Sequence, residues 1–395
     1  MNYREESLKK HAEWAGKIET VCRVPVGCKE ELSLAYTPGV AEPCLAIRDD
    51  PEKSFTLTRR WNTVAVITDG TAILGLGNIG PEAGMPVMEG KAALFKAYGG
   101  VDAFPVCLKT TDVDEIVRTI ELISGSFGGI NLEDISAPRC FEVETRLKND
   151  LQIPVFHDDQ HGTAIVMGAA LTNALKVAKK RLDEVEIVIN GAGAAGISIA
   201  KFLLDMGAKH VVMCDKNGIL VEGDDSVNPA QQAIAKLTNR KKLVGKLADA
   251  MKGADVLIGV SAANCVSKEM VASMAERSIV FVCANPVPEI APQDAKEAGA
   301  YVVGTGSSEN PNQINNVLVF PGLFRGALDV AATTVNREMM LAASKGIADC
   351  VSEGELSREY ILPYAYDKRA HESVARAVAE AAVRTGVAKK PQNLK

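Results

Sequence analysis

The sequence has no uninterrupted apolar run approaching the ~18 residues that a membrane-spanning helix needs. Its first ten residues, Met1-Asn-Tyr-Arg-Glu-Glu-Ser-Leu-Lys-Lys, carry no apolar signal region. It has no block of basic residues either. The formal charge is −6, and Lys179-Lys180-Arg181 and Arg240-Lys241-Lys242 are short enough to be solvated helix ends. That balance argues against nucleic acid as a partner. There are nine cysteines but no Cys-x-x-Cys. An odd set in mostly apolar stretches predicts buried free thiols in a reducing compartment, not a disulfide framework. No repeat, low-complexity tract or long linker interrupts the chain. These absences predict a cytoplasmic protein with no membrane contact.

At 395 residues, with 47% hydrophobic and 24% charged residues, the chain is a globular protein too long for one ordinary core. The division falls at Pro154-Val-Phe-His157-Asp158-Asp159-Gln-His161-Gly-Thr163. There a short apolar run predicts a strand, and a long apolar-periodic segment from Thr163 to about Val177 predicts a helix. We expect an α/β protein with an N-terminal α/β catalytic domain over 1–160. A Rossmann-type, doubly wound dinucleotide-binding domain with C-terminal helices follows over 161–395.

Two acidic pairs, Glu133-Asp134 and Asp158-Asp159, stand at the ends of successive predicted strands. Groups at such ends line the ligand crevice of an α/β sheet. Clustered carboxylates repel unless something neutralises them, and oxygen ligands without thiolates favour Mg2+ or Mn2+. His157 and His161 straddle the strand-to-helix junction and are expected to be structural. Lys91 lies in a predicted helix over 86–98 among small and apolar neighbours. Such surroundings lower a lysine pKa and suit it to act as a base. Tyr36 precedes a Pro-Gly turn, where a packing role is the simpler reading. A surface helix is expected over 2–20, further helices over about 112–124 and 139–149, and a frayed end over 389–395.

Two segments satisfy G-x-G-x-x-G. The first, Gly75-Leu-Gly77-Asn-Ile-Gly80, is followed by Pro-Glu-Ala-Gly-Met-Pro86, which predicts an irregular loop rather than a helix start. The second, Gly191-Ala192-Gly193-Ala194-Ala195-Gly196, follows a predicted strand (184–190), opens a helix (197–206) and leads to a second strand ending at Asp215. That full context marks a dinucleotide turn. Asp215 suits the ribose 2′-hydroxyl of NAD, whereas Lys216 could compensate the 2′-phosphate of NADP. Further strands near 255–260, 279–284, 301–304 and 317–320 would complete a six-stranded sheet. Asn285, Asn315 and Asn316 place amides beside these strands, as turn formers or as ligands of a nicotinamide ribose or substrate carboxylate.

Assembled, these residues resemble the malic enzymes, in particular the short prokaryotic type. The resemblance rests on Tyr36-Thr-Pro-Gly, Thr68-Asp-Gly with Ile73-Leu-Gly-Leu-Gly, Gly90-Lys91, Glu133-Asp134, Asp158-Asp159-Gln-His-Gly-Thr-Ala, Gly191–Gly196, Asn285-Pro, and Asn315-Asn316-Val with Phe320-Pro-Gly. It implies metal-dependent oxidative decarboxylation of L-malate to pyruvate and CO2 with reduction of NAD(P). It implies metal ligands at Glu133, Asp134 and Asp159, a general base at Lys91, a general acid at Tyr36, and Asp158 tuning Lys91. Asn285 would sit near cofactor and substrate, Asn315 or Asn316 near substrate, and a homodimer is the expected assembly. One departure is Ala72, where larger family members carry an arginine.

Overall fold

The computed structural model describes residues 3–74 and 76–393, and in it the chain folds around two sheets. The first has the order β2-β1-β3-β4, with β1 (Thr63–Thr68), β2 (Asp102–Cys107), β3 (Gly129–Leu132) and β4 (Val155–His157), all parallel. Ile67 pairs with Leu132 and Leu132 with His157, so three strands end at one level. Both faces of β1 are covered, which explains its near-continuous apolar run. The second sheet has the order β10-β9-β8-β5-β6-β7. Its strands are β5 (Glu186–Asn190), β6 (His210–Asp215), β7 (Gly218–Ile219), β8 (Val256–Gly259), β9 (Ile279–Val282) and β10 (Val302–Thr305). All run parallel except β7, a two-residue antiparallel return from β6. The chain proceeds from β5 to one side and then resumes on the other at β8, so the switch point lies between β5 and β8.

Three expectations need correction. Residues 317–320 form no strand. Asn316–Leu318 is a 3₁₀ turn and Phe320–Asp329 a buried helix with Pro321 in its first turn. A short apolar run cannot distinguish the two states, and the proline suits a helix start. The sixth strand is β7 instead. The helix carrying Lys91 begins at Pro81, not Pro86, and runs to Gly99. Pro81 is tolerated in the first turn, and Pro86 sits within the helix. The loop 69–80 before it is irregular, with an Ile73–Gly77 bridge, and Gly75 lies outside the described residues. At the C-terminus the described residues do not fray: Lys389 and Lys390 donate backbone N–H groups to Ala331 and Val330, and Lys389 pairs with Glu52. Leu394 and Lys395 lie outside the described residues.

The junction helix, Thr163–Ala178, is apolar nearly all round, and such a helix belongs in a core. One continuous cluster runs from Val64 and Phe95, through this helix, to Ile187, Met213 and Val256, and to the helices Phe320–Asp329, Arg337–Ala348 and Lys368–Arg384. The two sheets are thus fused around a shared core. Before Asn62 the pattern differs. The helices Tyr3–Trp14, Lys29–Ala35 and Ala41–Asp49 lead the chain, and no described side chain there is buried. All nine cysteines are free, as expected, but only Cys140 and Cys214 are fully buried. Cys22, Cys28 and Cys44 are exposed because they belong to that coreless N-terminal stretch. No described helix is long and apolar enough to cross a membrane.

Candidate active site

The carboxyl ends of β3 and β4 deliver both acidic pairs to one place. Glu133 continues the ladder through its N–H to Ile67 O at 2.9 Å. Asp134 then turns into the left-handed region (φ +54°), which a short polar side chain tolerates. The turn aims its N–H at Asp159 Oδ2, 2.7 Å away. Beyond β4, Asp158–Gly162 form a π-helical turn before the junction helix. Gly162 is required there, since a Cβ would lie 1.9 Å from Asp158 Oδ1.

Lys91 enters from the buried face of helix Pro81–Gly99. Its Nζ donates to Asp158 Oδ2 at 2.5 Å, lies 2.7 Å from Glu133 Oε1, and sits 4.3 Å from the centre of the Phe320 ring. Lys91, Glu133, Asp134 and Asp158 are all buried. Burial alone would push the ammonium down, but Asp158, Glu133 and Asp159 outweigh it and hold the lysine above its ordinary pKa. The expected neutral lysine is therefore corrected. Its sequence neighbours are apolar, but its spatial neighbours are carboxylates.

Oxygen atoms of Glu133, Asp134 and Asp159 all lie within 4.8 Å of one another. Burial, reinforced by Asp159 and Glu133, pushes Asp134 up to about 9. Burial likewise raises Asp158 to about 7 against the pull of Lys91. Asp134 Oδ2 and Asp158 Oδ1 are buried without a hydrogen-bond partner. Three converging carboxylates with an orphaned oxygen fit a hard divalent cation, which would offset charges that otherwise repel. Neither histidine is in the trio. His157 is fully buried and pushed down to about 4 by burial. His161 Nε2 pairs with Glu144 Oε1 at 2.8 Å.

The second glycine-rich segment runs from β5 into helix Ala194–Asp205, three residues earlier than the expected Ile197. Gly191 adopts φ +123°, and a Cβ at Gly196 would lie 1.8 Å from Gly191 O, so both positions need glycine. Nothing lies within 4 Å of a Cβ built on Gly193, which opens a space above the helix N-terminus fit for a pyrophosphate. Ala192, Ala194 and Ala195 complete the turn. Asp215 ends β6, and its Oδ1 accepts from the N–H of Asn217 (2.7 Å) and Gly218 (3.2 Å), with Lys216 exposed beside it. Helix Ala194–Asp205 packs on the π-helical turn, and Ser198 Oγ lies 3.5 Å from His161 Nδ1, so the glycine turn and the carboxylates adjoin.

The amides separate. Asn315 spends its side-chain oxygen on Val317 N–H, whereas Asn316 lies against Gly162 in the π-helical turn. Asn285 is exposed at the end of β9, its side chain against Gly306. Tyr36 is 67% exposed, and no hydrogen bond or ion pair joins it to the carboxylates among the described residues. Ala72 donates its N–H to Asp134 O, and Arg139 reaches the same loop through Asp69 (3.2 Å) and Thr71 (3.1 Å). Two contributors were missed. Asn131 Nδ2 donates to Glu133 Oε2 at 3.0 Å, and its signal was a polar residue inside an apolar strand. The Phe320 ring beside Lys91 had only the Phe-Pro-Gly motif to mark it.

Residues 15–148 match the family profile "Malic enzyme, N-terminal domain", and residues 160–383 match "Malic enzyme, NAD binding domain". The chain is 56% identical to the bifunctional malic/malolactic enzyme of Bacillus subtilis, over 98% of this chain and 95% of that protein. It is 55% identical to the NAD-dependent malic enzyme of Geobacillus stearothermophilus, over 95% of this chain and 78% of that one. The crystal structure of an NAD-dependent malic enzyme from Thermotoga maritima superposes with a TM-score of 0.91 at 48% identity, covering 94% of this chain and 98% of that one.

Proposed function

The chain belongs to the malic enzyme family, and from that premise we propose how its residues divide the reaction. It is an NAD(P)-dependent malate dehydrogenase of the decarboxylating kind, which converts L-malate to pyruvate and CO2. The supporting observation for the site is the buried lysine wedged between two acids beside a three-carboxylate cluster.

In this reading Glu133, Asp134 and Asp159 would hold Mg2+ or Mn2+, which would supply Lewis-acid chemistry there. The Gly191–Gly196 turn would hold the dinucleotide, which would supply the hydride acceptor. Lys91 takes the proton of the C2 hydroxyl as hydride leaves C2, and Asp158 holds the Nζ in place. Once the three acids are neutralised, Asp158 is the remaining anion against Lys91, and burial can lower the amine into the range of a base. After CO2 departs, Tyr36 donates the proton that C3 requires. Asn285 and Asn316 orient malate, Asn285 also facing the cofactor, and Asn315 acts as the cap that holds Asn316. NAD is the preferred cofactor, because Asp215 ends β6 where an acidic side chain suits a ribose 2′-hydroxyl better than a 2′-phosphate.

Exposed Leu8, Trp14, Val21, Leu34 and Tyr36 on a stretch without a core support a homodimer in which a partner covers that arm. There Tyr36 of one protomer serves the Lys91 of its partner. Free cysteines support a cytoplasmic location. The domain division falls at the π-helical turn, near residue 160.

The test is initial-rate reduction of NAD and NADP with L-malate and Mn2+, with CO2 counted in parallel. The expected result is equal reduction and CO2 release, faster with NAD and abolished by EDTA. Reduction without CO2, or rates indifferent to EDTA, would overturn the reading. Because the Bacillus subtilis relative is named malic/malolactic, lactate should be assayed as a second product.

A further inference from the structure

We infer that Glu289, a buried carboxylate with no role in the steps above, positions the wall of the dinucleotide crevice formed by the loops after β8 and β9. The inference rests on the assignment of the dinucleotide to the Gly191–Gly196 turn.

Glu289 is 0% exposed. No lysine, arginine or histidine pairs with it among the described residues. Its two oxygens go to different loops. Oε1 accepts the N–H of Ser261 at 2.8 Å, just past β8, and Oε2 accepts the N–H of Ala284 at 3.1 Å, just past β9. The backbone repeats the stitch, as Val266 N–H donates to Glu289 O and Asn264 N–H to Pro288 O, both at 3.0 Å. A Cβ on Gly259 would lie 2.6 Å from the Glu289 carboxyl carbon, so the strand end has been left bare to admit it.

The place matters because β8 adjoins β5 at the switch point, where doubly wound sheets bind ligands. A Cβ on Gly191 would lie 2.5 Å from Val260 O, so the glycine turn rests directly on the loop that Glu289 holds. Asn190, the last residue of β5, donates from Nδ2 to Ser261 Oγ at 2.8 Å. On the other side, Ala284 precedes Asn285. One carboxylate thus ties the glycine turn's support to the loop that carries Asn285.

The chemistry requires an acid. Two N–H donors converge on one side chain, and a carboxylate accepts both, whereas an amide presents a donor to one of them. A buried carboxylate without a cation is costly, so its presence calls for such fixed donors.

The experiment compares Glu289→Gln with wild type in the full chain, measuring dinucleotide affinity by titration and the KM values for dinucleotide and malate separately. One lost charge-assisted hydrogen bond predicts dinucleotide binding weakened about tenfold, with a much smaller change in malate KM. Wild-type dinucleotide affinity in Glu289→Gln would overturn the inference, whatever its melting temperature. In wild type, hydrogen exchange at the Ser261 and Ala284 amides should slow when dinucleotide binds, and unchanged exchange would also overturn it. Gly193→Val separates the two readings, since its backbone (φ −91°, ψ −163°) accepts a side chain that meets nothing in the protein. If Gly193→Val keeps its dinucleotide affinity, the turn assignment falls and this inference with it. If it loses affinity and Glu289→Gln does not, only the role of Glu289 falls.

Discussion

Lys91 is held by opposing influences: burial against its charge, and Asp158 and Glu133 in favour of it. Breaking such a buried arrangement by removing one partner costs about 3–5 kcal/mol, so the cluster is structurally demanding as well as chemically suited. Asp159 differs from its companions in being about a third exposed, which leaves it open to a ligand. Asp159→Asn is expected to weaken Mn2+ binding at least tenfold and to raise the malate KM, with kcat largely recovered at saturating Mn2+. Mn2+ titration followed by electron paramagnetic resonance checks this, and unchanged affinity would remove Asp159 from the ligand set. The convergence of Glu133, Asp134 and Asp159 was legible in the sequence because two acidic pairs stood at the ends of successive strands. The charge state of Lys91 was not, because a pKa answers to neighbours in space, and Asp158 is 67 residues away along the chain.

At the scale of elements, the π-helical turn Asp158–Gly162 sets the distance between Asp158 and Lys91. Gly162→Ala would place a methyl group on Asp158 Oδ1 and drive the carboxylate off Lys91. A displacement on that scale predicts kcat lower by about a hundredfold with the dinucleotide KM little changed, measured by steady-state kinetics. A second anchor lies at the start of β2. Against the upward push of burial, Lys96, Arg59 and Asn62 hold the Asp102 carboxyl at about 2. A carboxyl depressed in the folded state contributes stability that is present above its unfolded value near 4 and lost as pH falls toward 2. Thermal melts should therefore fall more steeply between pH 4 and pH 2 for wild type than for Asp102→Asn. Equal slopes would contradict that account. Strand positions were readable from β-branched runs ending in glycine or acid. The helix at Phe320 was mistaken for a strand because four buried apolar residues satisfy either period, and the start at Pro81 was missed because Pro86 was taken as a barrier.

For the whole molecule, one apolar cluster runs from the first sheet through the junction helix to the second, which explains why the carboxylate cluster and the glycine-rich turn, some thirty residues apart in sequence, adjoin. Before Asn62 no described side chain is buried, and composition gave no sign of that. In the homodimer proposed above, Tyr36 serves the partner's Lys91. Mixing inactive Tyr36→Phe and Lys91→Ala homodimers should then restore about a quarter of wild-type activity, since half the dimers are mixed and each has one intact site. No recovery on mixing, with subunit exchange verified, would place Tyr36 and Lys91 in the same protomer's site. The role of Lys91 as the base is tested by the turnover of Lys91→Ala with L-malate, dinucleotide and Mn2+. The expected kcat is lower by about 10²–10⁴, as for loss of a positioned base, with Mn2+ and dinucleotide still bound. Near-normal turnover in that variant would contradict it.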